Sequence, residues 1–412
     1  MNWRMKSERS WGRLGMKFDT IKLSELAAIQ TGPFGSQLHK EDYVVHGTPI
    51  VTVEHLGSRK FTEQNLPCVS DKDKERLKKY VLKTGDIVFS RVGSVDRCSY
   101  VSAEYEGWMF SGRCLRVRPC EKLNPEYLYY FFLLEKTKQF VRNIATGATM
   151  PSINTKFMGE IPIRVPSLDA QNKIASILWM IDDKIELNKK INKNLEQQAE
   201  ALFHSLFVEN ANPTWKDGML SDLGTVVAGG TPSKTKPEYY SEQGIAWITP
   251  KDLSLNKSKF ISHGEIDISE LGFYKSSATK MPTGTVLFSS RAPIGYIAIA
   301  ANEVTTNQGF KSVVPNENVG TSFMYYLLKF LLPTIEGMAS GSTFKEISGA
   351  GMKSVPVVIP DNETIEKFNA FCTPIFQQQE VLEAENSRLS DIRDALLPML
   401  MSGELDVSDI NL

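Results

Sequence analysis

Two arginines, Arg91 and Arg291, close two nearly matching runs, TGDIVFSR (84–91) and TGTVLFSSR (283–291). A guanidinium at a strand end can hold guanine O6 and N7 bidentately, grip a phosphate, or serve a structural ion pair. Two glycine-rich loops, TGPFGSQ (31–37) and AGGTPS (228–233), lie upstream at matching positions, offering Gly35, Ser36 and Gln37 in one and Gly230, Thr231 and Ser233 in the other. Such loops bring backbone N–H groups to phosphates and short donors and acceptors to base edges; the same residues also make plain turns. Asn307 and Gln308 carry the carboxamide that suits adenine, or else satisfy a turn. Thr149 and Lys345, in equivalent loops after Gly147 and Gly341, are candidates for phosphate contact, and Trp247 reads as core rather than as a base-stacking platform.

Residues for covalent chemistry are not recognisable. The chain has no GxxxxGK[ST] loop, no HExxH, no strand-borne GxGxxG and no Asn-Pro-Pro-aromatic motif. The nearest decoy, Asn124-Pro125-Glu126-Tyr127, opens an apolar helix, where Asn and Pro are an N-cap and first-turn pair. Five histidines (39, 46, 55, 204 and 263) keep no metal spacing, and five cysteines (68, 98, 114, 120 and 372) form no CxxC pair. Odd, unpaired cysteines predict an intracellular chain without disulfides or zinc.

What positions the candidate residues is a duplication. LSEL (23–26) answers LSDL (220–223) and Gly47 answers Gly244 at a shift of 197; one inserted serine moves the shift from 199 to 200 within the arginine runs. Gly147, Ile153, Pro162 and Pro166 then face Gly341, Ile347, Pro356 and Pro360 at 194. A period this long marks a duplicated domain rather than a solenoid, whose units run to roughly 20–50 residues. Each copy mixes short β-rich runs (48–53 and 86–90; 246–249 and 286–289) with an apolar helix, NPEYLYYFFLL (124–134) or SFMYYLLKFLL (322–332), which predicts α+β heads related by a pseudo-two-fold.

Each copy ends in a long heptad helix. From Asp169, taken as N-cap, a 4,3 alternation runs Ile174, Leu178, Ile181, Ile185, Asn188, Asn192, Leu195, Ala199, Leu202, Leu206. The second runs Phe368, Phe371, Ile375, Gln378, Leu382, Glu385, Leu389, Ile392, Leu396, and Pro398 predicts an end or a kink. Helices of about 40 residues are roughly 60 Å long. Two of them in one chain pair most simply as an antiparallel coiled coil, a spacer between the heads. Polar seam positions Asn188, Asn192, Gln378 and Glu385 fix its register at a cost in stability, or mark a locally wet bundle.

Charge separates along the chain. Residues 1–166 carry 26 Lys+Arg against 18 Asp+Glu, 167–212 carry 5 against 7, 213–360 carry 13 against 12, and 361–412 carry 3 against 11. Neutral-to-basic heads suit DNA, while acidic helices either meet a protein or are simply solvated. No run approaches the roughly 18 apolar residues of a membrane span, and the basic start lacks the apolar core of a secretion signal.

The order of a variable head, ATGATMPSI (145–153), a strand running to proline and helix in IPIRVPSLDAQNKIASIL (161–178), its repetition, NQGFKSV (307–313), and closure on ALLPMLMSGEL (395–405) resembles the specificity subunit of type I restriction-modification systems. The resemblance spans nearly the whole chain from Ile21. It departs at the helix starts, where Ala170-Gln171 and Asp361-Asn362-Glu363 replace the family's usual Glu-Gln, with effects expected on local capping.

The resemblance implies a non-catalytic, cytoplasmic DNA-binding subunit. On this reading 1–17 is a disordered extension, 18–166 and 213–360 are target recognition domains, 167–210 and 361–400 are spacer helices, and 401–412 is a tail. Each recognition domain would read one half of a split, asymmetric double-stranded site. Two modification subunits carrying S-adenosylmethionine, the cofactor for adenine methylation, would dock on the helices, joined by restriction subunits with motor and nuclease activity; this chain itself would hold no cofactor. The alternatives are a coiled-coil scaffold, a stand-alone DNA-binding protein, or an enzyme with an unrecognised site.

Overall fold

The computed structural model describes residues 16–35, 37–147, 149–341, 345–408 and 410. Most of the expected N-terminal extension, and Ser36, lie outside the described residues. The chain divides into two compact units: residues up to Lys184 with those from Leu389 onward, and Ile185–Arg388. Each unit therefore holds one head and part of both long helices. Among the described residues no helix is long and apolar enough to cross a membrane.

In the first unit, short apolar runs, buried along the whole of Ile87–Ser90 and Cys98–Tyr100, build a four-stranded antiparallel sheet in the order Ala27–Thr31, Cys114–Pro119, Ile87–Ser90, Cys98–Tyr100. A second small sheet (Tyr43–Val44, Cys68–Val69, Thr48–Val51, Met109–Phe110) covers its own core around Ile50, Val69, Leu82 and Phe110. The apolar helix Pro125–Leu133 is capped by Asn124, whose side chain accepts from Tyr127 N at 2.8 Å, as the Asn-Pro opening predicts. It is continued by Glu135–Ile144, and both pack beside the main sheet.

The second unit repeats the plan with a five-stranded sheet, Gly224–Ala228, Lys311–Pro315, Val286–Ser290, Ile294–Ala300, Phe260–Ile261, and the apolar helix Thr321–Phe330. The serine inserted in TGTVLFSSR appears as a register shift between Phe288 and Ser290. That bulge lies on the Ile294–Ala300 side only. Against Lys311–Pro315 the register is unbroken, so Ser290 stands where Arg91 does and Arg291 lies one residue further on, at the place of Val92, which corrects the expected match of the two arginines. Ser289 sits in it, donating to Pro293 O and accepting from Tyr296 N. The glycine-rich loops follow strands in both heads, rather than a helix directly, because a strand separates each from the short helices Leu23–Leu26 and Leu220–Leu223.

The long helices run Leu168–His204, extended by a π turn Ser205–Glu209, and Asn362–Ser402. Within each unit their segments pair antiparallel: in the first Asp182 bonds Arg393 and Ile174 and Leu178 pack with Leu397 and Leu400, and in the second Asn188 bonds Glu385 and Glu196 bonds Gln379. Three expectations are corrected. The first helix is capped by Ser167, whose Oγ accepts from Ala170 N at 3.3 Å, not by Asp169. Pro398 does not end the second helix, which runs on to Ser402: the bond its missing N–H forgoes is offset by packing, since Leu397, Leu400 and Met401 around it are buried.

The third correction concerns the second seam. Phe368, Ile375 and Leu382 are buried as expected, but Phe371 and Gln378 are exposed, and the neighbouring Cys372 and Gln379 are buried instead. Apolar residue type drew the expected stripe through Phe371 and Ile392, both exposed. Gln379 can be buried because its amide is satisfied, accepting from Lys259 Nζ at 2.7 Å and donating to Asn192 O at 3.2 Å. The first seam follows expectation, with Asn188 fully buried and donating to Glu385 and Asn386. The Oδ1 atoms of Asn188 and Asn192 are buried with no partner among the described residues. Each such atom costs about 1–3 kcal/mol, the stability a polar seam gives up.

Each head is fixed to its helices by equivalent contacts. Gln171, buried at a helix start, accepts from Asn124 N at 2.8 Å and donates to Pro166 O and Lys122 O, tying the apolar helix to the long one. The second copy lacks that glutamine, and Asn369, further along its own long helix, does the same work, accepting from Phe323 N and donating to Val319 O. At the other end of each apolar helix a tyrosine hydroxyl meets a helix carboxylate: Tyr130 donates to Asp182 at 2.7 Å, and Tyr326 to Glu196 at 2.9 Å. A cation lies over a helix ring beside each, Arg59 at 4.5 Å from Trp179 and Lys259 at 4.1 Å from Phe376.

Burial alone would raise the Glu196 carboxyl, but Lys259 and Lys329 outweigh it and hold the group at about 2. A carboxylate depressed in the fold stabilises above its unfolded value near 4.5 and loses that contribution as pH falls toward 2. Glu196→Gln removes the carboxylate paired with buried Lys259, so it is expected to cost about 3 kcal/mol at pH 7 in urea unfolding. The gap from wild type should narrow steadily between pH 4.5 and pH 2; a gap independent of pH would refute this role.

Candidate nucleic-acid interface

In the second head the loops converge on one strand end. Gly230 N donates to Thr306 O at 2.8 Å, and the buried Trp247 donates from Nε1 to Gly230 O at 2.9 Å. A Cβ at Gly230 would lie 2.3 Å from Ala278 N, so only glycine permits this approach. Thr231 Oγ1 receives Gln308 N at 3.4 Å, and Ile347 N donates to Ser290 O at 3.1 Å, which brings the Lys345–Glu346 segment against Arg291. Thr231, Arg291, Asn307 and Gln308 line one cleft of about 660 Å³ with Lys234, Lys251 and Trp247. Ser233 is exposed beyond it, its hydroxyl 2.9 Å from that of Thr235.

The two carboxamides part company here. Asn307 Oδ1 accepts from Gly309 N at 2.8 Å, closing its own turn. Gln308 is exposed, and its side-chain amide has no partner among the described residues. Arg291 is not bare either: Glu346 lies 3.6 Å from both Arg291 Nη1 and Lys311 Nζ. Glu346 was not apparent from the sequence; the equivalence of GSTFKE with the loop after Gly147 places a serine, Ser152, at its position in the first head.

The first head gathers its residues differently. Arg91 donates from Nη1 to Gly112 O at 3.2 Å, and its guanidinium lies 5.2 Å from the ring of Phe34, an exposed phenylalanine between the loop glycines. Ile153 N donates to Arg91 O and Gly93 N to Pro151 O, so the loop holding exposed Thr149 abuts the same strand end. Gly35 has open space where a side chain would stand. Gln37 turns toward the head instead, its Oε1 accepting from Tyr80 Oη at 2.6 Å and its carbonyl from Arg76.

One turn recurs in both heads with the same four backbone hydrogen bonds. In the first, Cys114 N bonds Ser111 O, Ser111 N bonds Val51 O, Arg91 N bonds Arg113 O, and Gly32 N bonds Cys114 O. In the second, Phe310 N bonds Asn307 O, Asn307 N bonds Ile248 O, Ser290 N bonds Gly309 O, and Gly229 N bonds Phe310 O. The turn residues are Gly112-Arg113 in one copy and Gln308-Gly309 in the other, and both Arg113 and Gln308 are exposed. Arg113 escaped the sequence reading; aligning SGRC with NQGF would have exposed it.

The interface holds donors suited to an anionic polymer. Among the described residues no three His, Cys, Asp or Glu side chains are grouped to hold a metal ion. A family model for the type I restriction modification DNA specificity domain matches residues 16–197 and again 212–387, one match per copy of the duplication. The chain belongs to that family. It is similar to the type I restriction enzyme HindI specificity subunit of Haemophilus influenzae, 25% identical over 81% of this chain and 89% of that one. Over 37% of this chain and 36% of the other it is 41% identical to the MjaIX specificity subunit of Methanocaldococcus jannaschii. The crystal structure of a type I restriction-modification S subunit from M. genitalium shares the fold, with a TM-score of 0.65 at 17% identity over 96% of this chain and 98% of that one.

As a type I specificity subunit the chain is the non-catalytic component of its system. In that setting Glu346 has a clear electrostatic effect, since it partly neutralises Arg291 in the cleft as well as the buried Lys311. Glu346→Gln is expected to raise affinity for unrelated duplex DNA roughly tenfold at low salt and to steepen the salt dependence by about one phosphate contact. Titration across a salt series checks this; an unchanged slope would show that Arg291 does not face phosphate.

Proposed function

We propose that this specificity subunit reads a split, asymmetric DNA sequence, one half per head, and carries the modification and restriction subunits on its helices. The observation that carries this reading is the repeated turn beside the two glycine-rich loops, identical in backbone bonding and different in the side chains it exposes. A frame repeated without its exposed residues suits two different half-sites. Residues 18–166 and 213–360 act as target recognition domains. Arg91, Arg291, Thr149 and Lys345, with the backbone of Gly35 and Gly230 and the hydroxyls of Ser36, Thr231 and Ser233, supply phosphate and base contacts. Asn307 and Gln37 act mainly in holding their loops.

The helices serve as spacer and docking surface. In the second unit Leu187, Ile191, Phe371 and Val381 are exposed on them, and in the first Met180 and Ile392; the second helix is acidic, while Leu187 and Ile191 stand among Lys184, Lys189, Lys190 and Lys193. Exposed apolar side chains on an amphipathic helix suit packing by partner helices. We assign that surface to two modification subunits, which bind S-adenosylmethionine and methylate adenine, and to restriction subunits joining them in the cytoplasm; the chain itself should bind no S-adenosylmethionine.

Insertion of one heptad into both helices tests the spacer role. Seven residues lengthen a helix by about 10.5 Å, equivalent to about three base pairs. The half-site sequences should stay as they are while the gap between them widens by that amount, read from the adenines methylated by the assembled complex. An unchanged gap would show that the helices do not set it.

A further inference from the structure

The two copies of the turn differ where a base reader would be expected to differ. In the first head its leading position is Gly112, where a Cβ would stand 2.3 Å from Pro33 O, so the side chain must come from the next residue, Arg113. In the second head the leading position is Gln308, and the next is Gly309, where a Cβ would lie 3.0 Å from Asn307 Oδ1. Each copy thus carries one glycine and one long polar side chain, and in both copies that side chain is exposed.

Both side chains stand on rigid backbone. Gln308 is held by its N–H on Thr231, by the Asn307 side chain on Gly309 N, and by Ser290 N and Oγ, which both donate to Gly309 O. Arg113 is held by Arg91 N on its carbonyl and by the Cys114 N bond to Ser111 O. Neither head group is committed within the described residues. The cations around each, Arg91 in one head and Arg291, Lys234 and Lys251 in the other, can take phosphate while the apex takes a base. A guanidinium matches guanine O6 and N7, and a glutamine amide matches adenine N7 and N6, each bidentately.

We infer that this turn is the base-choosing element of both heads, with Arg113 reading a guanine in the first half-site and Gln308 an adenine in the second. The inference rests on the split-site reading above and adds which residue selects which base. A bidentate pair discriminates by about 1–3 kcal/mol, so each apex should enforce its base about 5- to 150-fold over the others.

The test is selection of duplexes from a randomised library by the full chain assembled with its modification subunits. Wild type is compared with Gln308→Arg, Arg113→Gln and the two alanine variants, each confirmed folded by circular dichroism. Gln308→Arg should convert one adenine of the second half-site to guanine and leave the first half-site intact; Arg113→Gln should convert one guanine of the first half-site to adenine. The alanine variants should relax the same single positions. Swaps that leave both half-sites unchanged overturn the inference while the split-site reading stands. Folded alanine variants that lose binding to every sequence also overturn it, since the apex would then grip backbone. A wild-type complex that selects no split sequence removes the functional reading itself.

Discussion

The structure depends on how each head is held to its helices, and in both units that hold is a tyrosine hydroxyl donated to a carboxylate on a long helix. Tyr130 reaches Asp182, which also receives Arg393 at 2.8 Å; Tyr326 reaches Glu196, which also receives Lys329 at 2.8 Å and pairs with Lys259. Burial and the neighbouring carboxylate push the Tyr130 hydroxyl far up, so it remains a donor. Buried ionic groups add little net stability over apolar packing, but they penalise misplacement severely. A reader of DNA needs that property, because a head free to rock would present its loops at no defined angle.

The remainder of each head transmits this fixed origin to the loops. The apolar helix is clamped at its start by Gln171 or Asn369 and near its end by tyrosine, and the main sheet lies against it. From that sheet Arg91 and Ser290 hold the turns by main-chain bonds to Arg113 O and Gly309 O, backed by side-chain bonds from Arg91 to Gly112 O and from Ser290 to Gly309 O, and none of these uses the side chain at the apex. Backbone invariance with side-chain variety follows: the frame is fixed by bonds that do not involve the apex side chain, and the exposed positions are left for recognition.

Much of this was legible in the sequence, because the signals are local or repeated. The duplication, the arginine-bearing strand ends, the Asn-Pro helix start and the first heptad seam all rest on spacing. What was not legible rests on partners distant in sequence. Gln379 is buried and Gln378 exposed because Lys259, some 120 residues away, supplies the bond that makes burial tolerable. Asn307 spends its amide on Gly309 while Gln308 keeps its own, a distinction set by turn geometry. Glu346 tempers Arg291 across a loop contact that no spacing announces. Asn369 replaces a glutamine missing from its expected place, a compensation visible only once both clamps are seen together.

The central claim is that one frame, repeated, reads two different half-sites. Single-molecule sequencing of modified adenines in host DNA, with the gene intact and deleted, tests it most directly. The account predicts that deletion removes methylation at one asymmetric motif made of two unlike specified blocks separated by a fixed unspecified gap. Methylation unaltered by deletion, or loss at a single uninterrupted or palindromic motif, would contradict it.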